Sequence, residues 1–129
     1  MKRATSRKAA RRQALYLLYQ WDLTGQELAS LYEGEPDDFA RSLAEAVSGR
    51  AETLDVRISA ASPDWPADRL GTLERNILRI GVYELEEETV PREVAINEAV
   101  VLAKRYASED AARLVNGVLA RIAREEEAA

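Results

Sequence analysis

Arg7, Lys8, Arg11 and Arg12 stand close together just ahead of Tyr16, Tyr19 and Trp21. The chemistry open to such a group is electrostatic. Guanidinium and ammonium groups take successive phosphates along a strand, and a neighbouring tyrosine stacks on an unpaired base. On a helix, Lys8, Arg12, Leu15 and Tyr19 share one face, roughly opposite the stripe Ala10, Ala14, Leu17 and Trp21, with Arg7 and Arg11 at its margin. The spacing therefore displays the cations outward. Cations in the first turns oppose the helix dipole by about 0.3–1 kcal/mol each, so helix stability alone does not select them; a bound anion relieves the conflict. Nucleic acid is the natural anion, and single-stranded RNA suits this short patch better than duplex DNA, because no helix-turn-helix partner supports a recognition helix. Two plainer readings stay open at this level: a solvated basic terminus, and an ordinary half-buried Tyr19.

The whole chain sharpens the contrast. Residues 1–21 hold six Lys or Arg, including Lys2 and Arg3, and no acid, while the other 108 hold 12 basic and 23 acidic side chains. A +6 arm thus sits on a −11 body in a chain of net charge −5, an asymmetry that points to an anionic partner for the arm. The sequence has no histidine and no cysteine, which removes disulfides, zinc sites, thiol nucleophiles and the usual neutral-pH acid or base. Nor is there a Gly-rich phosphate loop, nucleophile elbow or dinucleotide fingerprint. The expectation is a protein that is not an enzyme, with no cofactor and no metal. No apolar run approaches the roughly 18 residues of a membrane span and the N-terminus lacks a signal peptide's apolar core, so the expected location is cytoplasmic, with no membrane partner.

The elements that must position these residues read as helices. Residues 6–23 carry the first apolar stripe, ended by Thr24 and Gly25. A short helical stretch over 26–32 precedes the turn at Gly34, Glu35 and Pro36. The apolar positions Phe39, Leu43, Val47, Ala51, Leu54 and Ile58 predict one long helix over 37–60. Residues 62–71, with two prolines and a glycine, form a connector with one helical turn after Pro66. Residues 72–88 are apolar almost all round, the mark of a central buried helix. Glu74 within it has two readings, paired internally or set at an exposed edge to meet another protein. A helix over 92–106 follows, then one capped by Ser108 with Ala111, Leu114, Val115, Val118, Leu119 and Ile122 in register. Gly117 inside it costs about 1 kcal/mol against alanine, which the close approach of a neighbouring helix offsets; the tail REEEAA is expected to fray. The fold class is all-α in one domain, with an N-terminal helical half over about 1–62 and a C-terminal half over about 66–126.

Two stretches carry a resemblance. ERNILRIGVYEL and then VPREVAINEAVVLAKRYASEDAARLVNGVLARIA are similar to the C-terminal half of the NusB transcription antitermination family, and ALYLLYQWDLTG is similar to that family's first helix. The resemblance implies two helical subdomains, each close to a three-helix bundle, six or seven helices in all. It also implies binding of boxA, a short single-stranded RNA element of nascent ribosomal transcripts, together with the ribosomal protein NusE, in a complex that joins a transcribing RNA polymerase and suppresses premature termination. By resemblance, Lys2, Arg3, Arg7, Lys8, Arg11 and Arg12 form the RNA-binding arm and Asp110 lies near the RNA side. Tyr19 and Glu74 lie at the NusE interface, and a homodimer through that same surface is a further implied partner. Two alternatives from other classes are a helical protein-protein adaptor without RNA binding, and an RNA-targeting module like the one fronting certain ribosomal RNA cytosine methyltransferases.

Overall fold

The computed structural model describes residues 6–128, all helix, turn and loop. Helix α1 spans Arg7–Thr24. The Ser6 Oγ caps it by accepting the Ala9 N–H at 3.1 Å, and Gly25, at φ 74°, ends it with its N–H on the Trp21 carbonyl; this left-handed C-terminal residue is one that glycine adopts without steric cost. The expected helical stretch over 26–32 is a single 3-10 turn, Leu28–Leu31. Helices α2 (Asp38–Gly49) and α3 (Ala51–Ala61) follow, α2 capped by the Asp37 carboxylate on the Ala40 N–H. The single helix expected over 37–60 is thus two. Arg50, at φ −114° and ψ 13°, leaves the helical region directly after Gly49. Val47, Leu54 and Ile58 are all buried and keep helical spacing across the break, which is why periodicity alone does not reveal it; the low helix propensity of Gly49 does.

The connector has its one turn at Ala67–Arg69, after Pro66. Helix α4 (Thr72–Glu87) packs against α1, α2, α3, α5 and α6. Ile77, Leu78, Ile80, Val82 and Leu85 are all but sealed from solvent, so α4 is the central helix its composition predicts. Helix α5 spans Arg92–Tyr106, and α6 runs Glu109–Ala128, started by the Ser108 hydroxyl accepting the Ala111 N–H at 3.0 Å. One buried cluster joins side chains from both halves of the chain.

Two further expectations are corrected. The tail stays helical to Ala128 because ion pairs tie it down: Arg57 reaches Glu126 at 2.8 Å and Arg92 reaches Glu127 at 3.0 Å. Gly117 is exposed, and a Cβ there would meet nothing within 4 Å. The glycine that permits a close approach is Gly81 of α4, where a Cβ would stand 2.6 Å from Leu119 Cδ1 of α6.

Candidate functional site

Helix α1 buries Ala10, Ala14, Leu15, Leu17 and Leu18. Leu15, placed by spacing on the outward face, packs inward because α1 is enclosed on two sides, by α2 and by α4. This wider buried arc decides the fate of the cations. Arg11 is 3% exposed. Its Nε and Nη2 donate to the two carboxylate oxygens of Glu84, both at 2.9 Å, and Glu84 is itself buried on α4. The bidentate bonds to Glu84 raise the guanidinium pKa above its ordinary value although burial pulls it down. Arg11 is therefore not an outward cation: it is a buried structural ion pair, and the expectation that it faces RNA from an open surface is corrected. A burial of this kind is stable only because the two charges meet in a bidentate, hydrogen-bonded pair.

The remaining members of the cluster diverge. Lys8 keeps a side chain 69% exposed, with Glu98 of α5 at 3.7 Å. Arg7 is exposed and lies over the Phe39 ring, its Cζ 3.9 Å from the centroid. Arg12, half-buried, lines a groove of about 510 Å³ with Leu15, Tyr16, Tyr19, Thr72, Leu73, Glu74 and Tyr106. The structure thus brings Tyr19 and Glu74 into one concave surface between α1, α4 and the end of α5. Tyr19 is half-buried there, as the plain reading expects. Glu74 resolves to the groove edge. It makes no ion pair among the described residues, and its carboxylate folds back over Gly71, so that a Cβ there would collide with Glu74 Oε2. Asp110 stands apart in the first turn of α6, almost fully exposed and paired with Arg113; among the described residues no hydrogen bond or ion pair links it to the α1 cations. Lys2 and Arg3 lie outside the described residues.

A second polar cluster pins α1 and α3 to α4. Asp22 Oδ2 accepts from Arg75 Nε at 2.9 Å, Asn76 Nδ2 at 3.0 Å and Arg79 Nη1 at 3.0 Å, while Arg79 grips Asp55 through Nε and Nη2 at 2.7 and 2.6 Å. Burial pulls the Arg79 pKa down, yet the bonds and charges of Asp55 and Asp22 leave it raised. Among the described residues no buried side-chain polar atom lacks a partner. Glu74 was singled out from the sequence while Glu84 and Arg79 were missed, although the same signal, a charge inside a helix apolar nearly all round, applies to them. The groove residue Tyr106, and Phe39 under Arg7, carried no such signal; only the packing collects them.

Fold and site together define a small all-α protein that offers partners a basic helix end beside an aromatic groove. The chain belongs to the NusB family, whose sequence profile matches residues 8–124. It is 42% identical to the transcription antitermination protein NusB of Rubrobacter xylanophilus, over 88% of this chain and 87% of that protein, and 36% identical to NusB of Myxococcus xanthus, over 92% and 94%. Among solved structures it is similar to NusB of T. maritima, with a TM-score of 0.84 at 32% identity over 95% of this chain and 94% of that one. It is equally similar in sequence, at 32% identity and a TM-score of 0.80 over 92% and 96%, to a chain in a crystal structure of antitermination factors NusB and NusE in complex with dsRNA.

Proposed function

We propose that this chain is a transcription antitermination factor, a non-enzymatic adaptor that binds boxA-type RNA with the basic end of α1 and NusE with the groove beside it. The observation that carries the reading is the junction of two surfaces on α1. Arg7 and Lys8 are exposed at its start, and Arg12 and Tyr19 continue into the groove edged by Glu74. An RNA on the first surface and a protein on the second would touch each other, which supports a ternary complex joining the transcribing polymerase. The similar chain solved with NusE and dsRNA supports the same pairing of partners. Asp110, Lys2 and Arg3 enter this reading from the family resemblance alone. A homodimer through the groove would compete with NusE. We further read the chain as cytoplasmic, in keeping with the absence of any helix among the described residues long and apolar enough to cross a membrane. The two sequence halves, about 1–62 and 66–126, we read as subdomains sharing α4 as their common wall.

The test is a gel-shift titration with a boxA oligonucleotide, single-stranded and as a duplex, with and without NusE. The expected result is binding of the single strand that tightens when NusE is present, with light scattering showing one copy of each protein. Binding of NusE with no response to either RNA would support the adaptor without RNA binding. Preference for the duplex would overturn the single-strand assignment.

A further inference from the structure

We propose that Arg7, Phe39 and the first turn of α2 form a pocket for one unpaired nucleobase, guanine in preference, so that Arg7 serves as a stacking plane and not as a phosphate clamp. The proposal rests on the RNA-binding reading above. Its first support is the Arg7–Phe39 stack. An arginine that grips phosphate needs its fork pointed at the anion, whereas this guanidinium lies 3.9 Å from the Phe39 ring centre and makes no hydrogen bond or ion pair among the described residues. A guanidinium held against a ring is a ready-made plane, and RNA-binding proteins stack splayed bases on guanidinium planes as they do on aromatic rings.

The second support is the composition of the cleft. Arg7 and Phe39 line a space of about 460 Å³ with Asp37, Asp38 and Ser42. Arg7 and Arg41 balance the two carboxylates, so the cleft exerts no net pull on a phosphate, while its carboxylate oxygens favour a ligand edge rich in N–H donors. Asp37 spends Oδ2 on the Ala40 N–H, and Asp38, with a side chain 95% exposed, holds Arg41 only at 3.4 Å. Acceptor capacity is left on both. Guanine offers N1–H and N2–H side by side, the pair of donors that one carboxylate accepts in parallel; uracil offers a single N–H between two carbonyls. The cleft is therefore matched to guanine on its edge and to any base on its face.

The test measures binding of two fluorescein-labelled single strands of about 12 nucleotides, an oligouridine and the same strand with one central guanine. Wild-type protein should bind the guanine strand about tenfold more tightly, the scale of one stacked and hydrogen-bonded base. Arg7→Lys keeps the charge and removes the plane: it should abolish that preference and leave the dependence on salt unchanged. Phe39→Leu should act likewise. Asp37→Asn with Asp38→Asn preserves the helix cap, because Asn caps as well as Asp, and should erase the guanine preference while stacking persists. The proposal is overturned if Arg7→Lys binds both strands as wild type does, or if wild type binds both strands equally. Failure to bind either strand would sink the RNA-binding reading itself.

Discussion

Arg11 and Arg7 lie one helical turn apart and have opposite environments. Arg7 meets an aromatic face at the surface, while Arg11 meets a carboxylate where water is excluded. Removing either partner of a buried, bidentate pair strands a charge, a change that costs about 3–5 kcal/mol. Arg11→Ala and Glu84→Ala should each lower the unfolding free energy by about that amount in urea titrations. The double replacement Arg11→Met with Glu84→Leu should recover most of the loss, because an apolar pair of similar volume carries no desolvation penalty. A weakened RNA affinity in Arg11→Ala would then follow from loss of folded protein and should disappear in the double variant. If instead the double variant stays as unstable as the single ones, the pair is holding more than its own charges.

Most of the helical layout could be read from the sequence because apolar spacing and caps agree: Ser108 accepts the backbone N–H expected of a cap, Ser6 and Asp37 do the same at the helices they start, and α4 is buried as its composition requires. What spacing could not show is where a helix stops while its apolar register runs on, as at Arg50, or which glycine matters. The two helix-interior glycines separate these effects. Gly117 faces open space, so Gly117→Ala should gain about 0.5–1 kcal/mol from helix propensity alone. Gly81→Ala places a methyl against Leu119, which is fully buried, so its displaced methyl must find room in a close-packed core; overpacking of about 1–3 kcal/mol should outweigh the propensity gain. Thermal unfolding of the two variants should therefore move in opposite directions. A rise in both would mean that α4 and α6 can separate by a few tenths of an ångström without cost.

At the scale of the molecule, the charge asymmetry was legible from composition, but the number of cations that face outward was not. That number depends on how much of α1 the rest of the chain encloses, and enclosure is a tertiary fact. Counting from the helix wheel alone, four cations at the start of α1 would each release about 0.7 of a counterion on a single strand, for a log–log salt slope near −3. With Arg11 neutralised by Glu84 and Arg7 stacked on Phe39, two of the four remain for phosphate, Lys8 and Arg12, and the slope they supply falls to about −1.4. The net −11 of the rest of the chain repels phosphate and favours the basic end as the strand's landing place. Binding constants for a short single strand, measured across a salt series, should therefore show a slope of about −1.4 from these side chains. Lys8→Ala should reduce that slope by about 0.7, whereas Arg11→Met with Glu84→Leu should leave it untouched. A slope that falls in the double variant would show that Arg11 exchanges Glu84 for phosphate when RNA arrives, and a slope near zero in the wild type would remove phosphate contacts from the description of this surface altogether.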